Sequence, residues 1–473
     1  MTSTATALHF LTVAEAGRLI RARRLSPVEL VDAHLDRIAR VDPRIHSYIT
    51  VLADRARAAA RDTEAAIMRG DWRGPLHGIP YGLKDNFYTR GIRTTAASRL
   101  MLDHVPDVDA TAHARLRDAG AILLGKLNTY EYGTGTGAVH FDLPFEPARN
   151  PWDTTRFTGG SSTGPGAAVA AGTAMAALGS DTGGSVRLPA AGCGVVGLKP
   201  TYGRVSRAGV QPNCWTQDHI GPLAWTVEDA AILLQVIAGH DAADPACADR
   251  PVPDFSAGLG QGVAGLRLGV IRRFHTRDVA GEPAIVAGFE AAIDVFRRLG
   301  ATIVELELDA GLNDFRACSR VVNAAESYSI HERDFVERHA EMGRALRDKM
   351  MGGALLRAAD YLRAMRWRRE LAASLDDAIS ACDAVVCCGA TRIAPRFEDG
   401  EAVVAFTGQS AMAAFNLSGH PALSLCNGFS PEGLPLNLQI AGRFWDEATV
   451  LRVAAAYERA TPWRDRRPMG DDS

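Results

Sequence analysis

The sequence has no surplus of charge of either sign. Its 473 residues include 52 lysines and arginines and 55 aspartates and glutamates, so the net charge is −3. A protein that binds nucleic acid through its phosphates needs a basic surface, and we expect none here. The chain also lacks a run of about 18 strongly apolar residues, which a membrane-spanning helix requires. It lacks an N-terminal secretory pattern as well, so we expect a cytoplasmic protein with no membrane partner.

Paired cysteines and metal-binding motifs are also missing. None of the eight cysteines forms a CxxC pair, and the close group Cys382, Cys387 and Cys388 is not followed by a second pair of ligands. A structural zinc site needs four ligands at characteristic spacing. The sequence contains no HExxH. We therefore predict buried free thiols and no metal site.

Three glycine-rich strings match nucleotide-binding motifs only in their letters. The GxGxxG at 192–197 runs into Lys199-Pro200, which blocks the helix that such a site needs. The GxGxxG at 260–265 precedes a strand pattern instead of following one. The string GAILLGK at 120–126 is followed by Leu127 where a P-loop needs serine or threonine. We expect no nucleotide-binding site.

Helix and strand patterns alternate along the chain. Ser26-Pro27-Val28-Glu29 forms a capping box at a helix start. The Ala-rich segment 164–178 and most of 314–375 predict helices, and short apolar runs such as 79–83 and 121–127 predict buried strands. We expect one α/β domain with a mixed, mostly parallel sheet that helices cover on both faces.

We expect this single domain to span residues 1–473. Within it, four regions are predicted: an N-terminal helical region at 1–70, a core with the candidate catalytic residues at 71–240, a variable part at 241–400, and C-terminal strands with a last helix at 401–473. The helical segment 314–375 is predicted to lie on the substrate side.

The segment Asp181-Thr182-Gly183-Gly184-Ser185 brings together several residues that could take part in catalysis. Adjacent glycines allow backbone N–H groups to converge on one point, and the serine places a hydroxyl beside those donors. This is the arrangement of a nucleophile with its oxyanion hole. Taken alone, such a turn is more often an ordinary loop.

Two further segments fit the same chemistry. Ser161 and Ser162 precede an Ala-rich helix, where a hydroxyl lies in a positive field. Lys84 follows apolar and glycine residues, and a desolvated lysine loses its proton more readily and can act as a base. Taken singly, these residues read as helix caps and a surface lysine. Together with the Gly-Gly-Ser turn they indicate a hydrolytic site.

These segments resemble the amidase signature family of serine hydrolases. The matching stretches share the family's order: 78–86 (GIPYGLKDN), 158–162 (TGGSS), 179–187 (GSDTGGSVR), 192–204 (GCGVVGLKPTYGR), 218–222 (DHIGP), 416–421 (NLSGHP) and 433–442 (GLPLNLQIAG). The resemblance covers roughly residues 10–460. Two departures are Thr163-Gly164-Pro165-Gly166 in place of paired glycines, and Ser180 in place of threonine.

The resemblance implies a role for individual residues. Ser185 would be the nucleophile, Ser161 a bridging serine after a cis peptide bond, and Lys84 the base. The implied oxyanion hole consists of the backbone N–H groups of Thr182, Gly183, Gly184 and Ser185. The implied supporting residues are Ser162, Asp181 and Arg187. No metal or organic cofactor is implied. An ordinary lysine pKa near 10.4 leaves well under 1% of the neutral base at pH 7, so burial must lower it or the optimum must be alkaline.

The implied activity is hydrolysis of a carboxamide C–N bond through a Ser185 acyl-enzyme. A carbamate (urethane) has the same carbonyl geometry, so a carbamate hydrolase is one alternative. The A-type subunit of a glutamine-dependent amidotransferase is the other. Such subunits have an acidic residue upstream of the segment that here contains Asn416, and Gln409 at that position argues against glutamine as substrate.

The substrate pocket is expected from the variable parts of the chain. The candidate residues lie beside the signature motifs or are aromatic: Tyr130, Tyr132, Gly133, Thr134, Gly135, Trp215, Phe406 and Gln409. An aromatic lining would suit an aryl or hydrophobic amide, although the same residues could form core. The expected partner is a small-molecule amide or carbamate, and a homodimer is left open.

Overall fold

The computed structural model describes residues 7–134 and 141–470, which form a single α/β domain. In this part of the chain, 11 strands make one sheet and two short strands pair separately. The strands are β1 Tyr48–Val51, β2 Pro80–Lys84, β3 Ile122–Leu127, β4 Arg149–Asn150, β5 Asp153–Phe157, β6 Ala176–Asp181, β7 Val196–Lys199, β8 His219–Ala224, β9 Arg267–Val270, β10 Thr302–Glu305, β11 Ala384–Cys387, β12 Ala422–Phe429 and β13 Pro435–Gly442.

Helices flank the large sheet. Those in the described residues are α1 Val13–Arg21, α2 Pro27–Ile45, α3 Ala53–Met68, α4 Thr111–Asp118, α5 Thr163–Ala171, α6 Arg187–Cys193, α7 Val227–Ile237, α8 Arg273–Thr276, α9 Pro283–Arg298, α10 Leu312–Arg338, α11 Arg344–Ala354, α12 Ala358–Ser380, α13 Gly400–Gly408, α14 Met412–Ser418 and α15 Glu447–Arg459. The predicted capping box is confirmed, because the Ser26 side chain accepts from the backbone N–H groups of Val28 and Glu29 at the start of α2.

The large sheet is mixed, as predicted, but antiparallel pairs outnumber parallel ones. Its order is β1-β3-β2-β6-β8-β7-β12-β13-β11-β9-β10. Six of the ten neighbouring pairs are antiparallel, so the expectation of a mostly parallel sheet is corrected. A parallel pair needs a long crossover, whereas β12 and β13 are joined by a short turn that makes them an antiparallel hairpin.

The Ala-rich segment is the second correction. One helix was predicted over 164–178, but α5 ends at Ala171 because Gly172 adopts a left-handed conformation, with φ of 71°. The chain then enters β6, whose residues are all buried between β2 and β8. Alanine favours helices in isolation, but burial in the middle of a sheet overrides that propensity.

The parallel pair β2 and β6 brings the ends of two signature segments together. Leu83 pairs with Leu178, so Lys84 and Asp181 lie near the carboxyl ends of adjacent parallel strands. In α/β sheets, ligands bind beyond the carboxyl ends of parallel strands. The fold therefore predicts a site at this edge of the sheet.

Buried hydrophobic side chains form several clusters in the described part of the domain. One cluster of buried hydrophobic side chains includes residues from Val13 to Tyr457. All eight cysteines are buried and free, which confirms that prediction. Among the described helices, none combines the length and apolarity that a membrane crossing would require.

Candidate active site

Lys84 ends strand β2 with its side chain fully buried. Its Nζ donates to Ser161 Oγ at 2.8 Å and to Ser180 Oγ at 2.9 Å. Asn86 Nδ2 also donates to Ser180 Oγ, at 3.0 Å. Two hydroxyls thus fix the position of the Lys84 amine, one of them on the predicted bridging serine.

Burial lowers the pKa of Lys84 to about 7. Removal of the ammonium from water disfavours its charged form, while the carboxylates of Asp181 and Asp218 act in the opposite direction. A large share of the side chain is therefore neutral at pH 7. Neutral Lys84 can accept a proton from the Ser161 hydroxyl, which is the chemistry required of a general base.

Ser161 lies between the end of β5 and the start of α5, and its side chain is buried. The Gly160–Ser161 peptide bond is cis, as the resemblance implied. The Tyr130 ring packs so closely on Gly160 that a Cβ there would lie 2.3 Å from Tyr130 Cζ. Gly133 approaches from another side, and a Cβ built on it would lie 3.6 Å from Ser161 Oγ. Only glycine fits at position 160, whereas a Cβ at position 133 would lie in van der Waals contact with the Ser161 hydroxyl.

Ser185 is half-buried and lines a cavity of about 470 Å³. Its carbonyl oxygen accepts from the Ser162 N–H at 3.2 Å, which ties the two serine-containing turns together. In the part of the chain that the structure describes, the Ser161 and Ser185 hydroxyls form no hydrogen bond with each other. Such contacts between catalytic groups often tighten only when substrate is bound.

Asp181 organises the turn that carries Ser185. Its carboxylate accepts from the backbone N–H groups of Gly184 at 2.7 Å and Val186 at 3.0 Å, and from the Arg187 guanidinium at 3.0 Å. Burial by itself would raise the pKa of Asp181, but these interactions, mainly those with Arg187, hold it well below its usual range. The fully buried Arg187 also donates to Gln439 Oε1 at 2.8 Å.

The backbone donors around Ser185 divide into two groups. The Gly184 N–H is engaged by Asp181, so it does not point freely at a ligand. The N–H groups of Thr182, Gly183 and Ser185 have no acceptor among the described residues, and all three residues line the cavity. The geometry thus leaves three of the four predicted oxyanion donors available, and Gly184 instead positions the turn.

Two supporting residues lie behind the turn. Ser162 Oγ is buried and donates to the Ser180 carbonyl at 3.3 Å. Thr182 Oγ1 donates to Asp218 Oδ1 at 2.6 Å, and burial raises the pKa of that carboxyl. Both contacts brace the strand end that precedes Ser185.

Ser180 is a site residue that sequence reasoning missed. From the sequence, serine in place of threonine at this position is only a mild departure from the family pattern, yet the Ser180 hydroxyl accepts from both Lys84 and Asn86. The signal was present in the sequence, because serine and threonine both supply a hydroxyl at that position. Lys349 was missed as well. Its Nζ donates to Asn213 Oδ1 at 2.9 Å and to Thr134 Oγ1, and it lines the same cavity.

Three of the predicted pocket residues, Tyr130, Gly133 and Thr134, line the cavity. Gly135 lies outside the described residues. Tyr132 does not face the cavity, because its ring packs in a buried cluster 4.5 Å from the His331 ring.

The remaining predicted pocket residues also lie elsewhere. Phe406 packs edge-on against Phe157 in a buried cluster, with ring centroids 6.2 Å apart. Trp215 is 53% exposed and lies beside a separate small pocket. Gln409 accepts from Arg392 Nε at 3.2 Å in a groove next to the cavity. The expected aromatic lining is therefore corrected: among the described residues Tyr130 is the one aromatic residue that lines the cavity, and one face of α10 contributes arginine, serine and asparagine.

Comparison with known proteins gives matches along nearly the whole chain. The amidase family model matches residues 29–451. A curated relative from Roseiflexus castenholzii, the A-type subunit of glutamyl-tRNA(Gln) amidotransferase, is 40% identical over 98% of this chain and 98% of its own length.

Two solved structures extend the comparison to the fold. The peptide amidase of Stenotrophomonas maltophilia has a TM-score of 0.86 at 33% identity and covers 97% of this chain and 98% of its own. A bacterial aryl acylamidase of the amidase signature enzymes has a TM-score of 0.89 at 26% identity, and covers 98% of this chain and 100% of its own. The similarity thus includes sequence and three-dimensional structure.

Proposed function

This chain belongs to the amidase signature family, and on that premise we propose that it cleaves a carboxamide C–N bond by acyl transfer to Ser185. The observation that carries the proposal is the buried contact between Lys84 Nζ and Ser161 Oγ, 2.8 Å long, beside the cavity that Ser185 lines. A buried amine with a pKa of about 7 and a bound hydroxyl is suited to activating a second serine.

The proposed first step forms the acyl-enzyme. Neutral Lys84 accepts a proton from Ser161, and Ser161 accepts one from Ser185 as the Ser185 oxygen bonds to the carbonyl carbon. The N–H groups of Thr182, Gly183 and Ser185 stabilise the negative charge that develops on the carbonyl oxygen. The proton then passes from Lys84 through Ser161 to the nitrogen of the leaving group, and the C–N bond breaks.

The second step releases the acyl group. A water molecule gives its proton to the same relay and attacks the ester carbonyl of the acyl-enzyme. The Ser185 oxygen leaves and regains its proton through Ser161. The overall reaction consumes one water and yields a carboxylic acid and ammonia or an amine, so no redox partner is needed.

The relatives favour one specific form of this activity. The curated relatives bear the name of the A-type subunit of glutamyl-tRNA(Gln) amidotransferase. Their similarity supports a chain that releases ammonia from glutamine for use by a partner, and it supports this alternative better than a free-standing hydrolase. Against it stands Gln409, which pairs with Arg392 where an acidic residue would hold the ammonium group of glutamine.

A free-standing amidohydrolase is the second candidate. The peptide amidase and the aryl acylamidase share this fold over nearly the whole chain, which supports hydrolysis of an amide without a partner. A carbamate hydrolase would use the same three side chains, and none of these relatives favours it.

A substrate panel with the purified chain tests the proposal. L-glutamine, an aliphatic amide, an anilide and a carbamate would be compared through the ammonia or amine released. We expect turnover of at least one amide by the wild type, and a loss of at least about 1,000-fold in Ser185→Ala. Preference for glutamine supports the amidotransferase reading, and preference for another amide supports the hydrolase. Equal activity of Ser185→Ala and the wild type would remove Ser185 from the mechanism.

A further inference from the structure

One face of helix α10 forms a polar wall of the cavity. Arg316, Ser319, Arg320 and Asn323 all line it. Their spacing of three and four residues places them on one side of the helix. The wall therefore presents two arginines, one turn apart, to the cavity that Ser185 also lines.

Both guanidinium groups lie beside the same residue of α13. A Cβ built on Gly408, at the end of α13, would lie 3.5 Å from Arg320 Nη2 and 3.7 Å from Arg316 Nη2. Neither group donates to a carbonyl of α13 in the described residues. Two like charges this close repel each other, and burial together with this repulsion lowers the pKa of Arg316.

Neither arginine has an acidic partner among the described residues. Arg316 Nη1 donates to Asn313 Oδ1 at 2.9 Å, and its buried Nε has no acceptor. Of the described lining residues, only Asp348 carries a carboxylate, and it forms an ion pair with Arg344 at 3.7 Å. Glu401 lines the outer groove beyond the arginines, where it is exposed and pairs with neither.

A third cation adds to the positive charge. The Lys349 side chain lines the cavity from α11, and its Nζ is held by Thr134 and Asn213 rather than by a carboxylate. Burial lowers the pKa of Lys349 to about 8, so it remains mostly charged at pH 7. The cavity lining described here thus contains three cations and one carboxylate that is already paired.

From this arrangement we propose that the cavity binds an amide substrate that carries a carboxylate, which Arg316 and Arg320 hold. The inference deepens the proposed amide cleavage and rests on it. A guanidinium presents two parallel N–H donors that match a carboxylate, and a bound carboxylate would supply the acceptor that Arg316 Nε lacks. It would also relieve the repulsion between the two arginines. The substrate's amide end would then extend towards Ser185.

Binding to a protein that cannot turn over tests this proposal. The Ser185→Ala protein would be titrated calorimetrically with succinamate and glutaramate, two amides that end in a carboxylate, and with butanamide and pentanamide, their neutral counterparts. We expect at least one acidic amide to bind about 10-fold or more tightly than its counterpart. Adding Arg316→Gln or Arg320→Gln should remove that advantage and leave the neutral amides unchanged.

Two variants serve as controls. Arg333 lies on the same helix, is 85% exposed and pairs with Glu337, so Arg333→Gln should change no affinity. Arg316→Lys keeps the charge but loses the paired donors, and it should recover only part of the affinity. Circular dichroism of each protein would show that α10 is still folded.

Equal binding of acidic and neutral amides at both chain lengths would overturn the proposal. So would an acidic preference that survives Arg316→Gln combined with Arg320→Gln. These outcomes are independent of the catalytic proposal, because they are read in a protein without Ser185. Failure of the catalytic proposal would instead appear as undiminished turnover in the Ser185→Ala protein.

Discussion

Lys84 Nζ lies 2.9 Å from Ser180 Oγ, almost as close as it lies to the bridging hydroxyl of Ser161. Ser180 also accepts from Asn86 Nδ2 at 3.0 Å, so its oxygen joins two side chains from the end of β2. The Lys84 amine is therefore held from two sides. Ser180 acts as a positioning residue, because it orients the base and is not one of the residues that line the cavity.

We predict that Ser180→Ala lowers kcat about 10-fold and leaves KM unchanged. Without the Ser180 oxygen, the Lys84 amine has one fewer fixed contact and spends less time aligned with Ser161. Ser180→Thr keeps the hydroxyl and should retain most of the activity. Steady-state kinetics on any amide that the wild type hydrolyses would measure both variants. A rise in KM with an unchanged kcat would assign Ser180 to substrate binding instead.

We predict that kcat/KM rises with pH through about 7 and then reaches a plateau. The active form of Lys84 is the neutral amine, and burial lowers its pKa to about 7, so deprotonation increases activity as pH rises from 6 to 8. A pH–rate profile of the free enzyme would show this limb. A limb near the ordinary lysine pKa of about 10.4 would contradict the role of burial.

The signature segments could be predicted from sequence because they are local and their order is distinctive. Lys84, the cis bond before Ser161, and the Ser185 turn each lie in a short stretch whose letters carry the resemblance. The use of the Gly184 N–H could not be foreseen. Its donation to Asp181 depends on how the turn folds back on the end of β6, which no residue spacing shows.

The residues of the cavity wall could not be predicted from the sequence, for a different reason. Arg316 and Arg320 lie on α10, far along the chain from Ser185, and they face the cavity only because α10 packs against α14 and α11. Aromatic residues were favoured for the pocket, yet Phe406 and Tyr132 contribute to buried clusters. Which face of a helix borders a cavity is decided by tertiary packing, so periodicity alone does not separate pocket from core.

We predict that Asp181→Asn destabilises the protein by about 3–5 kcal/mol. The fully buried Arg187 would lose its only carboxylate partner in the described residues, and a buried charge without its partner is costly. Urea unfolding would measure the loss. The matched control is Asp294→Asn, since the pair of Asp294 with Arg297 is about half exposed and should contribute under about 1 kcal/mol. Similar losses of stability in both variants would show that burial does not make the Asp181–Arg187 pair more important for folding than an exposed pair.

The last prediction separates strain from geometry at the site. Gly133 has φ of 69°, and a Cβ there would lie 3.4 Å from Lys84 Nζ and 3.6 Å from Ser161 Oγ. Gly91 has nearly the same φ, 67°, but a Cβ built on it would have no heavy atom of the described residues within 4 Å beyond its chain neighbours. Each change to alanine should cost about 1 kcal/mol of backbone strain, because L residues with a side chain disfavour the left-handed region.

Only Gly133→Ala should also reduce activity, by about 10-fold, since its methyl group would lie in van der Waals contact with the Lys84 amine and the Ser161 hydroxyl, and any backbone movement that relieves the strain there would disturb their shared hydrogen bond. Thermal unfolding and steady-state kinetics on the two variants would separate the effects. Wild-type activity in both variants would show that the base and the bridging serine tolerate the change. An equal loss of activity in both variants would mean that backbone strain, rather than the close approach of Gly133, controls activity.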